Sequence, residues 1–238
     1  MKVIIVVLLT VAIVGGIVYL LKQRPNRKNG EKREFSQEEY NRHDEAKQTA
    51  LEKILGPMHS MVGHAIIPFQ LGGAVDMYYF PNGIPGTGFA TMELIRPDGT
   101  GPKPNNIGTY ELVAFTRHRI PPEGEKKEDD PFNRIERRMC GILTGTAFYS
   151  FEAVLKPGDT CEVPGKDGEP NKCLIYDEYK PDGKTFEIDG RKHCLLLCLE
   201  VFRSEMEYAM EHGSATVLQK LKQAGHYPYS DLDREPVY

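Results

Sequence analysis

Val3 to Leu21 (VIIVVLLTVAIVGGIVYLL) is a run of nineteen residues without a charged side chain. As a helix rising about 1.5 Å per residue it spans roughly 28 Å, close to the ~30 Å hydrocarbon thickness of a bilayer. A cleavable leader has a shorter apolar core, about 7–15 residues, and a small-x-small cleavage site. Here the run passes directly into Lys22, Gln23, Arg24 and Pro25 with neither. The expectation is one uncleaved transmembrane helix over residues 1–22, a basic linker over 23–34 and a globular domain over 35–238, tethered to the membrane through residues 3–21.

The flanks set the expected orientation. Only Lys2 precedes the span, whereas Lys22, Arg24, Arg27, Lys28, Lys32 and Arg33 follow it. Positive residues stay on the cytoplasmic side, so the domain is expected to face the cytoplasm. Five cysteines are an odd number for a disulfide framework, which agrees with a reducing compartment.

Charge divides along the chain. Residues 1–33 carry seven basic side chains and one acidic, while residues 34–238 carry 23 basic and 33 acidic, a net of about −10. A nucleic-acid binder has a basic footprint, so nucleic acid is not an expected partner. An acidic body suits a basic protein partner, because complementary fields speed encounter and reject wrong partners.

The domain reads as α+β, with mixed or antiparallel sheets flanked by helices. Ser36 and Glu39 form a capping box; Tyr40, Ala46, Ala50, Leu51, Ile54 and Leu55 follow at helical spacing, and Gly56-Pro57 stops the helix. Strand-forming residues gather at Val75–Phe80, Gly88–Ile95, Tyr110–Thr116, Lys172–Tyr179, Lys184–Ile188 and His193–Phe202, bounded by Gly/Pro/Asn clusters. Asp189-Gly190 predicts a hairpin between the last two. Residues 132–140 show helical periodicity after Pro131, and the charged tract Pro121–Pro131 (PPEGEKKEDDP) is the expected lobe boundary. Two short helices close the chain. Met206, Ala209 and Met210 form the apolar face of the first, Gly213 breaks it, and Ser214 caps the second, which buries Leu218 and Leu221 and ends at Gly225.

No reaction is legible. Structural zinc needs paired ligands two to four residues apart, twice over. Cys194 and Cys198 share a strand face with Leu196 and read as core filling. Cys161 and Cys173 flank a loop across which they can approach, with His193 as a further ligand, but no second pair completes a site. His59 and His64 are five apart and do not share a helix face. Gly83–Gly88 matches neither GxGxxG nor a phosphate loop, and no GxSxG elbow occurs. Polar residues in the Gly-rich loops and near Glu111 are the only support for a dispersed hydrolase site. No catalytic, cofactor or metal residue is assigned, no cofactor is expected and the chain is read as a non-enzyme.

The C-terminal segment is distinctive: CLLLCLEVFRSEMEYAMEHGSATVLQKLKQAGHYPYSDLDREPVY places a buried strand before an acidic helix, a Leu-rich helix and an Asp/Arg tail. It resembles the closing part of the suppressor-of-fused-like domain family, and of a bacterial, membrane-anchored member of it, through Glu205, Glu207, Ala209, Gly213, Leu218, Leu221, Asp233 and Arg234. Upstream, VDMYYFPNG, TGFATMELI and YELVAFTRH resemble that family's early strands, so the likeness covers roughly residues 70–235. The family's tryptophans are absent, Arg117–Asp130 is hydrophilic and no individual binding residue is carried over. The resemblance implies a binding module. Eukaryotic members sequester a transcription factor by clamping an extended peptide, and bacterial relatives neutralise toxins by direct binding. A tethered toxin-immunity protein with a basic toxin as partner is therefore the leading expectation. The alternatives are a membrane-associated hydrolase and a structural or assembly factor of the envelope.

Overall fold

The computed structural model describes residues 34–121, 130–165 and 168–238. The expected anchor over 1–22, nearly all of the linker over 23–34 and most of the tract 121–131 lie outside them. Among the described residues no helix is long and apolar enough to cross a membrane.

Helix α1 (Gln37–Leu55) begins as its sequence predicts: Ser36 Oγ accepts from Glu39 N at 3.2 Å, and Glu39 Oε2 accepts from Ser36 N at 2.9 Å. It ends at Gly56, whose φ of 81° favours glycine. The last turn lies on the chain at Gly83, where a Cβ would come within 1.8 Å of Leu55 O. This contact fixes one end of α1 against the sheet.

The strands are β1 (Val62–Gly63), β2 (Met77–Phe80), β3 (Thr87–Ala90), β4 (Tyr110–Thr116), β5 (Thr160–Val163), β6 (Lys172–Glu178), β7 (Phe186–Ile188) and β8 (Arg191–Val201). They form a sheet in the order β1-β2-β3-β4-β8-β6-β5, with β7 paired to the start of β8. Among the described strands only β4 and β8 pair in parallel, so the sheet is mixed. Asp189 (φ 49°) and Gly190 (φ 74°) turn β7 into β8, both in the left-handed region that a two-residue primed turn requires.

Side chains alternate across the sheet and build two cores. Tyr110, Leu112 and Ala114 of β4, with Cys194, Leu196 and Cys198 of β8, face α2 (Pro131–Glu152). Val113, Phe115, Leu195, Leu197 and Leu199 face α1, α3 (Arg203–His212) and α4 (Ser214–Gln223). Helices thus cover both faces, as the α+β reading predicts.

Several expectations are corrected. The first is the lobe boundary at 121–131: β4 before this tract pairs with β8 after it, and residues 36–238 form one compact unit. α2 extends well past residue 140, to Glu152, because Met139, Ile142, Leu143, Thr146, Ala147 and Ser150 continue its buried stripe through small and polar residues. Strand β3 ends at Ala90 rather than Ile95, and a buried carboxylate is the cause. Glu111 accepts from Leu94 N (3.2 Å) and Ile95 N (2.9 Å), while Thr91 Oγ1 donates to it at 2.7 Å, drawing residues 92–95 off the ladder.

The counter-charge to Glu111 is Lys47 of α1, 3.0 Å away, with both side chains essentially inaccessible. Lys47 Nζ also donates to the carbonyls of Met92 and Ile95. Removing one partner of a buried, hydrogen-bonded pair strands the other. Lys47→Met is therefore expected to cost about 3–5 kcal/mol, read as a lower urea midpoint at unchanged slope.

Candidate binding surface

The residues that carry the C-terminal pattern are assembled into a clasp. Glu205, in the first turn of α3, is fully buried and grips Arg234 through two hydrogen bonds of 2.6 and 2.8 Å. It also accepts from Val237 N and Phe202 N, both at 2.9 Å, and the guanidinium lies over the Phe202 ring. Burial pushes the Glu205 carboxyl up, but Arg234 and the backbone donors outweigh this and hold it below the usual range. Ala209, Leu218 and Leu221 are buried, Gly213 turns α3 into α4 at φ 91°, and Glu207 and Asp233 are exposed. Nearer the sheet, Ser230 N donates to Phe115 O (2.8 Å), Glu200 N donates to Ser230 Oγ (3.0 Å), and Asp231 Oδ2 accepts from Arg117 N (2.7 Å). The tail therefore bridges β4 and β8 beyond their paired residues.

Two details of α3 and α4 depart from expectation. Ser214 is the first helical residue rather than the cap, and its hydroxyl donates to Gly158 O at 2.6 Å. Met210 points outward at 68% exposure, because Met206 and Ala209 already fill the buried face. Met210 stands between Glu207 and Glu211 at helical spacing, forming an apolar knob on an acidic face beside β5 and β6.

The groups weighed for catalysis or metal binding are separated or closed. Cys161 faces the α2 core and Cys173 the opposite core, so their expected approach is blocked by the sheet itself. All five thiols are free; burial raises that of Cys194 to about 12 and that of Cys198 also upward, away from nucleophilic thiolate. His193 shares a 2.7 Å hydrogen bond with Thr109, and burial lowers its pKa. Glu111 is sealed by Lys47 and has no path to a substrate. His59 Nδ1 accepts from Met61 N, while His64 pairs with Asp76. Among the described residues no group of three His, Cys, Asp or Glu side chains is placed to hold a metal.

A second exposed surface lies at the other edge of the sheet. Between β1 and β2, Ile66 is fully exposed, Leu71 is 78% exposed and Ile67 is 57% exposed. Leaving each in water forgoes about 1.5–3 kcal/mol of burial. Phe69 sits beneath them, 4.7 Å from the partly exposed ring of Phe148 and 6.0 Å from Phe151 on α2. The loop is held in shape at its foot: Asp76 accepts from Ala65 N at 2.9 Å and His64 at 2.8 Å, and Val75 N donates to Thr144 Oγ1 at 3.2 Å. Behind Asp76, whose N–H reaches Glu93 Oε1 at 2.7 Å, burial and the Asp76 charge raise Glu93 to about 7. No motif announced this ledge, although the uncharged stretch Ala65–Val75 is visible in the sequence.

A model of the suppressor of fused protein (SUFU) family matches residues 76–235. Among solved structures, the chain is similar to one of the Sufu–Fu complex, at TM-score 0.57 and 17% identity over 82% of this chain and 92% of that one. It is also similar to a suppressor of fused homologue from Neisseria gonorrhoeae FA 1090, at TM-score 0.55 and 12% identity over 82% and 97%. At these identities the likeness carries the fold. No curated protein matches the chain significantly.

The clasp has a pH signature. A carboxyl held below its usual 4.5 in the folded state contributes stability above that value and loses it as pH falls through the folded pKa. The stability gap between the wild-type chain and Arg234→Met is therefore expected to be full near neutrality and to shrink as urea titrations move below pH 4.5.

Proposed function

The chain belongs to the suppressor of fused protein family, and on that premise we propose that it is a membrane-tethered, non-enzymatic protein-binding domain facing the cytoplasm. Its partner is a basic protein, and neutralisation of a basic toxin in the manner of an immunity protein is the use it serves. The observation that carries the binding reading is the acidic face of α3, where Met210 stands exposed between Glu207 and Glu211. An exposed apolar side chain flanked by two carboxylates has the form of an interface anchor, with Arg203 and His212 as the neighbouring basic side chains. The anchor supplies affinity once dry, and the carboxylates steer encounter with a basic partner. The net charge of about −10 over residues 34–238 extends the same field over the domain. A basic nuclease or pore-forming chain meets both requirements.

The tether rests on the nineteen uncharged residues from Val3 and the basic flank from Lys22 to Arg33. A similar fold was crystallised as the Sufu–Fu complex, which supports a role in binding protein.

The test is co-purification of the tagged full chain from its native membrane. The expected result is a stoichiometric basic protein whose retention falls with salt and whose Kd weakens about tenfold or more in Glu207→Lys/Glu211→Lys. Recovery of the chain alone, or a complex indifferent to that double substitution, overturns the α3 surface. Turnover of a substrate abolished by one side-chain change overturns the non-enzymatic reading.

A further inference from the structure

The ledge at the β1 edge is unlike the α3 face. From Ser60 to Val75 there is no acidic side chain, and Ala65–Val75 carries no charge at all. Its exposed side chains are Ile66, Ile67, Pro68 and Leu71, with Gln70 the one exposed polar side chain from Ala65 to Val75. It is also pre-built. Pro68 bridges Ala74, Leu71 N and Gly73 N donate to Pro68 O at 2.9 and 3.1 Å, and Phe69 locks the underside to α2. A loop held rigid with bulky aliphatics outward pays little ordering entropy when those side chains leave water.

Its position matters as much as its chemistry. α1 runs the length of the sheet: its C-terminal turn rests on Gly83 between β2 and β3, and His43 near its start meets Ile95 O at 3.1 Å. Asp76, at the foot of the ledge, bonds Glu93 two residues from Ile95. The start of α1 and the ledge therefore share one end of the sheet. The chain enters the domain at Ser36 on that end, after a stretch with nineteen uncharged residues and a basic flank. Across the sheet, β1 and β5 are opposite edges, and α3 packs on the β5–β6 side.

We infer that the Ile66–Leu71 loop, with Phe148 beside it, docks into the interfacial layer of the lipid bilayer that holds the chain, turning the acidic face of α3 away from the membrane. The inference rests on the tether reading above and adds to it a fixed orientation. Aliphatic side chains on an uncharged loop suit the boundary between headgroups and acyl chains, whereas Glu207 and Glu211 are repelled by anionic headgroups.

The chain has no tryptophan, so a single introduced indole reports without background from another. The full chain carrying Ile66→Trp, and separately Glu211→Trp, is reconstituted in phosphatidylcholine–phosphatidylglycerol vesicles with plain or brominated acyl chains, and flotation is scored in parallel. The expected result is that Ile66→Trp shifts to the blue and loses roughly half its emission to bromine, while Glu211→Trp stays solvent-like and unquenched. If the chain floats and Ile66→Trp remains solvent-like, the docking fails and the tether stands. A blue shift without bromine quenching places the ledge against protein, a second copy included, and overturns the lipid assignment. Equal quenching at both positions overturns the fixed orientation. A chain that does not float overturns the tether and the docking with it.

Discussion

The fold depends on one carboxylate placed where water cannot reach it. Glu111 lies near the start of a central strand, on the face covered by α1, and an ionised group there is costly unless every lone pair is engaged. Lys47 supplies the charge, Thr91 a hydroxyl, and Leu94 and Ile95 their N–H groups. Satisfying Glu111 therefore requires α1 to be docked, β3 to stop at Ala90 and the β3–β4 connection to fold inward. The same arrangement brings Ile95 under His43 and Glu93 behind Asp76. A single buried side chain thus ties α1 to the chain just beyond β3. Such a pair adds little net stability over an apolar replacement; what it enforces here is geometry.

The second organising feature is the asymmetry between the two edges of the sheet. Edge strands invite unwanted pairing, and proteins blunt them by shortness or charge. At one edge β1 is reduced to two residues and followed by an uncharged aliphatic loop. At the other, β5 carries Glu162, gripped by Arg203 of α3 through two 2.9 Å bonds. The protein is thus apolar at one margin and charged at the other. Two margins of such different chemistry suit different contacts.

Much of the architecture was legible wherever local signals agree with tertiary demands. The Ser36–Glu39 box, the Gly56 stop, β4, β6, the Asp189-Gly190 turn and β8 all emerge close to where their residues indicate. The misreadings have particular causes. β3 shows strand-forming residues to Ile95, but their N–H groups are claimed by a side chain 16 residues away. α2 hides behind Gly141, Gly145 and Thr146, small residues that blur periodicity; at Gly145 a Cβ would stand 2.8 Å from Val163 on β5. Cys161 and Cys173 looked neighbourly in number, yet strand alternation sends them to opposite faces. The spacing of Met210 fits a core position, and nothing local reveals that Met206 and Ala209 suffice. For the binding surface, overall acidity was readable but the exposure of individual side chains was not, since exposure belongs to the assembled layers.

The clasp between Glu205 and Arg234 bears on how the protein is made. Strand β4 must wait for β8, with Tyr110 opposite Cys194, and the margin beyond that parallel pair is completed only by Ser230 and Asp231. Contacts so distant along the chain close late. Arg234 follows both strands in the chain, so the clasp seals this margin only after β4 and β8 have been made. Until that contact forms, Phe115 O and Arg117 N at this margin lack the partners that the tail brings them.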